Sequence, residues 1–224
     1  MSVDELMPKV INALGGETNW RKLNSRVVKV EVDFVHQGVK GYGTAYNKAP
    51  NMAAQEATLT AVGKPIGSFS EYFDGTNGGE EASFAPSDVY SGKQLEDARI
   101  GADFYGLLDW KTLYKTAEFK GAAKVGGEDA FVVVFVPEKG NKDTVYFSQK
   151  SFLPIKLESV SSSSTSSVGQ PYSEIYSDYR TVDGVMIPFK MVNSNSDNGD
   201  LVITIKEVKH NVLIDDKVFK AGKK

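Results

Sequence analysis

From Arg26 onward the chain is written in short period-two stretches separated by turn dipeptides, and that rhythm limits the folds open to it. Val28, Val30, Val32 and Phe34 alternate with Lys29, Glu31 and Asp33, which describes a strand with one wet face. Further strand patterns follow at Gly41–Lys48, Met52–Thr60, Phe69–Phe73, Thr116–Lys120, Ala130–Val136, Thr144–Phe147, Ile155–Val160, Tyr172–Tyr179, Val185–Val192 and Leu201–Val208. Asp74-Gly75, Gly126-Gly127, Lys139-Gly140-Asn141, Asp183-Gly184 and Asn198-Gly199 stand between them as turn chemistry. About eleven strands in succession, mostly with short connections, predict an antiparallel meander.

Helical patterns occur in two places. Ser2 and Glu5 have capping-box spacing, Leu6, Met7, Val10, Ile11 and Leu14 share one face, and Gly15-Gly16 ends the run. Pro8 removes one backbone hydrogen bond and is expected to kink the early turns. A second short helix is expected over Glu17 to Leu23, presenting Trp20 and Leu23. Midway through the strands, Ser91 and Gln94 repeat the capping spacing, and Leu95, Ala98 and Ala102 make a short stripe before the aromatic "DFYGLLDWKTLY". The run "AFVVVFV", Ala130 to Val136, is apolar on both faces, so this strand is expected to be central and covered on both sides. A β-sandwich would also bury it; the helical segments at hand favour helices as the cover.

Composition narrows function chiefly by exclusion. With 26 Lys and Arg against 29 Asp and Glu, the formal charge is -3, which argues against a nucleic-acid partner. No cysteine is present, so disulfides, thiol nucleophiles and Cys-ligated zinc are excluded. A hydrophobic content of 41% over 224 residues suits a packed core, read as one domain over 1–224. No apolar run approaches the roughly 20 residues of a membrane helix. The N-terminus lacks the basic start and apolar stretch of a signal peptide; either the protein is cytosolic or Met1 begins a chain whose export signal has been removed.

Catalytic patterns are weak. The two histidines, His36 and His210, form no HExxH pair, and no G-x-S-x-G elbow occurs. "NSNSDNGD", Asn193 to Asp200, misses the calcium-loop pattern and reads as a hairpin loop turning at Asn198-Gly199. "SSSSTSS", Ser161 to Ser167, reads as a hairpin tip, and "GVKGYG" and "KVGGED" lack phosphate-loop spacing. An enzyme would require His36 or His210 to meet two carboxylates in a cleft. What remains is shape: a long twisted meander curls, and helices over its concave side make a vessel whose apolar walls prefer an apolar guest.

Five motifs carry a resemblance. "NALGGETNWRKLNS", "EYFDGT" at Glu71–Thr76, "FLPIK" at Phe152–Lys156, "YSDYRTVDGVMIPFK" at Tyr176–Lys190 and "NVLIDDKVFK" at Asn211–Lys220 stand in an order that resembles the LolA-like outer-membrane lipoprotein-sorting superfamily from about Val3 to Lys220. The resemblance implies an α+β fold, an unclosed antiparallel barrel with helices over its concave face, enclosing an apolar cavity for acyl chains. It also implies periplasmic carriers or acceptors of lipoproteins, with some relatives acting instead as sensors that bind a signalling partner.

The combined expectation is non-enzymatic binding of a lipid or lipoprotein acyl chain, with an envelope protein partner as the alternative and no cofactor or metal. Alternation places Val28, Val30, Val32, Phe34, Phe131, Val133, Phe135, Ile187 and Phe189 inward, and the cover adds Leu107, Leu108 and Trp110. These residue types fill a dry core as readily as they line a pocket. In the Tyr176–Lys190 hairpin, Asp178 and Arg180 share one face by parity, and Ser177 and Tyr179 the other. Pro188, without an N–H donor, is expected at an edge strand or bulge of the barrel's seam. The hairpin is read as wall.

Overall fold

The computed structural model describes residues 1–163, 166–195 and 199–222. Helix α1 is Val3–Ala13 and starts as its capping box dictates: the Ser2 hydroxyl accepts from the Glu5 N–H at 3.2 Å, and the Glu5 carboxylate accepts from the Ser2 N–H at 2.6 Å. The helix continues past Pro8, with Leu6, Met7 and Val10 at most 1% exposed on its inner face. Helix α2 is a single turn, Glu17–Trp20, shorter than the spacing predicts.

Six strands follow: β1 Ser25–Phe34, β2 Val39–Lys48, β3 Met52–Ala61, β4 Lys64–Phe73, β5 Gly78–Ala82 and β6 Ala85–Val89. The interlude holds α3 Gly92–Gly101, a 3-10 turn Gly106–Asp109 and α4 Trp110–Leu113. Seven more strands close the series: β7 Thr116–Val125, β8 Glu128–Val136, β9 Asp143–Ser148, β10 Pro154–Ser163, β11 Ser166–Val182, β12 Val185–Asn195 and β13 Gly199–His210. A last 3-10 turn spans Asp216–Phe219.

All thirteen strands belong to one antiparallel sheet, in the order β6-β5-β4-β3-β2-β1-β13-β12-β11-β10-β9-β8-β7. Every neighbour is a sequence neighbour except at β1–β13, where the first strand meets the last in mid-sheet. β6 and β7 are the two edges and do not pair with each other, so the barrel is unclosed and the fold is the α+β architecture expected. The Ser161–Ser167 tip and the Asn198-Gly199 turn fall on residues 164–165 and 196–198, outside the described residues.

Three expectations need correction. The strand count rises from about eleven to thirteen because β5, "GGEEA", pairs onto β4 and β6, "APSDV", onto β5, both without apolar alternation. β8 is not central but lies next to the edge strand. Its odd positions Val133 and Phe135 pack under α1, while Ala130 and Val132 are buried on the other face between Gly121 of β7 and Tyr146 and Ser148 of β9. Pro188 is in no edge strand either: β12 pairs with β13 only over Lys190–Asn195, so Pro188 sits where the two strands have separated and its missing N–H forfeits no ladder bond.

The opening left by that separation is filled by the end of α1. The Leu14 carbonyl accepts from the Met186 N–H at 2.9 Å and from the Trp20 indole N–H at 3.0 Å. Gly15, at φ +111, lies so close to the β11–β12 turn that a Cβ would stand 2.4 Å from the Gly184 carbonyl oxygen. On the opposite face of the sheet, Ile214 and Phe219 of the C-terminal segment pack on Ala54, Val27 and Tyr46.

Candidate functional site

Two apolar clusters stand on the inner face. Under α1, Leu6, Met7 and Val10 meet Val133, Phe135, Val145 and Phe147. Trp20, Phe104, Val28, Ile187, Phe189 and Ile205 form the second. Between these clusters, and roofed by α3 and the Gly106–Asp109 turn, lies a cavity of about 970 Å³. That volume is at the upper end of the roughly 300–1,000 Å³ of small-molecule sites.

The roof is held by polar ties. Asp97 of α3 accepts from the Asn141 backbone N–H and side-chain amide, each at 2.7 Å. Arg21, just past α2, makes a two-pronged ion pair with Asp109 and lies over the Tyr105 ring at 4.3 Å. No residue of α3 is fully buried, whereas α1 buries four.

The lining is mixed. Leu107, Leu108, Leu113, Val145, Leu157 and Ile187 form an apolar lane. Around it stand groups that the sequence pattern did not single out. Tyr90 donates to Glu71 at 2.8 Å, with Glu80, the cross-strand partner of Glu71, at 3.4 Å. Burial first, then the neighbouring Glu71, pushes the Glu80 carboxyl above its usual range. Asp143 accepts from the Ser159 hydroxyl at 2.6 Å and the Tyr114 phenol at 2.8 Å, yet burial still raises its pKa. Glu174 accepts from Tyr176 at 2.7 Å. Arg26 points into the same space, its Nε and Nη2 donating to the Asn47 side-chain oxygen at 3.3 and 3.1 Å.

The predicted inward residues divide four ways. Leu107, Leu108 and Ile187 line the cavity. Val28 and Phe189 are buried in the wall cluster beside it, with Val30 packed against that cluster. Val133 and Phe135 fill the core beneath α1, with Phe131 and Trp110 packed on it, the Trp110 ring 6.2 Å from that of Phe135. Val32 and Phe34 are half-buried farther along β1, away from the cavity lining. His36 is exposed in the β1–β2 turn, and His210 meets one carboxylate, Asp183, at 2.9 Å.

Parity fails at one point of the wall. Asp178 adopts φ +54, and Tyr176 and Tyr179 on its two sides both reach the cavity, although alternation puts them on opposite faces. Tyr179 ends in a 2.6 Å hydrogen bond to the Pro154 carbonyl. The missed lining did leave a trace in the sequence. Arg26 continues the Val28–Val30 inward series, and Tyr172, Glu174 and Tyr176 recur at every second position.

An unclosed antiparallel barrel with helices over a cavity on its inner face has the shape of a vessel. Comparison with known structures places this vessel in the LolA-like fold. The chain matches a DUF1329 family protein from Desulfovibrio piger with a TM-score of 0.62 at 11% identity, over 98% of this chain and 97% of that one. A LolA superfamily protein from Nitrosomonas europaea gives 0.59 at 14%, over 98% of each chain. A domain from Vibrio parahaemolyticus described as an outer membrane lipoprotein-sorting protein gives 0.59 at 11%, over 96% and 94%. No family model matches the chain, and no curated protein does. Among the described residues no helix is long and apolar enough to cross a membrane.

Proposed function

We propose that this protein is a non-enzymatic binder of a lipid or lipoprotein acyl chain and works in the periplasm. The observation that carries the reading is the cavity of about 970 Å³ between sheet and α3, with its apolar lane from Ile187 to Leu157. A chain laid in that lane removes apolar surface from water at about 25 cal/mol per Å². The likeness of fold to a lipoprotein-sorting domain supports the same use. Native mass spectrometry of the purified protein, followed by organic extraction, tests it. An acyl species that co-purifies and is displaced by added fatty acid is the expected result. A clean apo mass, with no uptake of a fluorescent fatty acid, overturns the reading.

Docking to an envelope protein is the second reading. Val62, Ile66 and Phe84 favour it, since they project 98%, 52% and 62% exposed, Val62 and Ile66 at the β3–β4 hairpin and Phe84 from the β5–β6 turn beside Gly67 of β4. Replacing the three by Ser separates the readings: lipid uptake is untouched, and only association with a partner is lost.

A further inference from the structure

The cavity's charged groups are unequal. Most of its carboxylates already have donors of their own: Tyr90 for Glu71, Ser159 and Tyr114 for Asp143, Tyr176 for Glu174, Asn141 for Asp97, and the backbone N–H groups of Tyr105 and Gly106 for Asp103, while Glu80 shares the Tyr90 hydroxyl with Glu71. Arg26 has no such complement. Among the described residues no carboxylate lies within 4.0 Å of its guanidinium, and Asn47 supplies its one acceptor oxygen. A guanidinium carries five N–H donors, so most of them remain unused. The Phe104 ring lies 5.9 Å away and supplies only a weak partner for the charge. Burial alone pushes the Arg26 pKa down to about 10. A half-buried cation without a counter-ion is costly to keep.

A second unsatisfied group stands beside it. His210 is the direct cross-strand partner of Arg26, and its side chain is 1% exposed. Its Nδ1 is taken by Asp183, while its Nε2 has no hydrogen-bond partner. Trp20, Ala45, Phe104 and Ile187 surround this end of the cavity and open onto the apolar lane.

We propose that Arg26 is the anchor for a single anionic head group on an acyl chain, a carboxylate or a phosphate, with the chain running along the apolar lane toward Leu113 and Leu157. This rests on the acyl-chain reading and sharpens it, because an amide- or ester-linked acyl group has no anion to offer. The free edge of the guanidinium matches a carboxylate or phosphate through paired N–H donors, whereas a hydroxyl can replace only one of those contacts.

The test compares ligands of one chain length on the full protein: palmitate, hexadecyl phosphate and hexadecanol, by displacement of a fluorescent acyl probe. Wild type is expected to hold one of the two anions at least tenfold more tightly than the alcohol, and the tighter anion names the head group. Arg26→Gln is expected to bring that anion down to the affinity of the alcohol, and Arg26→Lys to keep part of the preference. Equal affinity of wild type for all three ligands overturns the proposal without any variant. So does an Arg26→Gln protein that still prefers the anion. If wild type takes none of the three, the acyl-chain reading itself falls, an outcome distinct from loss of selectivity.

Discussion

Helix α1, with 11 residues, and α3, with 10, lie over the inner face of the same sheet and do opposite things there. Helix α1 presents Leu6, Met7 and Val10 to Val133, Phe135 and Phe147, all at most 1% exposed. Helix α3 presents Gln94, Asp97, Ala98, Ile100 and Gly101 to the cavity, with Ile100 its one large apolar side chain there, buries none of its residues and is tied down by carboxylates. A covering helix becomes a plug when its inner stripe is long and apolar, and a roof when that stripe is short or polar. The cavity lies under the helix that lacks the side chains to fill it.

Cutting one leucine from each helix puts the difference to its hardest test. Leu6→Ala empties a fully buried site and is expected to cost about 2–5 kcal/mol in denaturant unfolding. Leu95→Ala, on half-exposed α3, is expected to cost less than about 1 kcal/mol. Equal losses would mean that the roof is as much core as the plug, and the distinction would be lost.

The glycines at the two helix ends sharpen the same contrast. Gly15→Ala drives a methyl into the Gly184 carbonyl from a backbone at φ +111, so a loss of about 2 kcal/mol or more is expected. A Cβ on Gly101, the last residue of α3, meets nothing within 4 Å, and its φ is not positive. Gly101→Ala is therefore expected to be neutral or to stabilise by up to about 1 kcal/mol. Thermal melts of the pair suffice, and a destabilising Gly101→Ala would show that the roof's end is clamped as α1's is.

Asp97→Ala removes the carboxylate that receives both Asn141 donors. The expected global cost is about 1–2 kcal/mol. The more telling readout is amide exchange, which should quicken over Gly92–Gly101 and stay unchanged over Val3–Ala13. Faster exchange in both helices would show that they open as one unit.

The sheet was legible because a strand with one buried face must alternate, and β1 does so without interruption from Val28 to Phe34. β5 and β6 were not, since Gly78-Gly79-Glu80-Glu81 carries no alternation and is held as strand by its pairing to β4. Gly79 is there for a different reason: a Cβ would meet the Asp88 carbonyl oxygen at 2.6 Å and the Tyr72 hydroxyl at 2.8 Å. The site was half legible. Alternation could say that Val133 and Ile187 point inward, but which of them meets α1 and which meets open space depends on how far each helix stands from the sheet. Nothing in a strand's own sequence encodes that distance. The polar lining stayed hidden because an inward Glu174 or Arg26 in an alternating pattern looks like a break in a core, and only a cavity makes room for it.

The smallest effect predicted is one of sign. Burial holds the Asp143 carboxyl above its usual range, against the pull of the Ser159 and Tyr114 hydrogen bonds. The native state therefore binds this proton more tightly than the unfolded chain, whose value is about 3.9. Its stabilising share is fully present below that value and is lost as pH rises through the folded pKa. At α1 the order is reversed. The Ser2 backbone and side chain hold the Glu5 carboxyl below its usual range, so its share is present above about 4.3 and is lost as pH falls through the folded value. Denaturant unfolding of wild type, Asp143→Asn and Glu5→Gln at pH 7, 5, 4 and 3 separates the two. Acidification from neutrality toward pH 4 should shift the difference from Asp143→Asn in favour of wild type, and acidification below pH 4 should erase any advantage over Glu5→Gln. If both differences move the same way, the carboxyl beneath the roof is as well solvated as the one at the helix cap, and burial under α3 does not govern its proton.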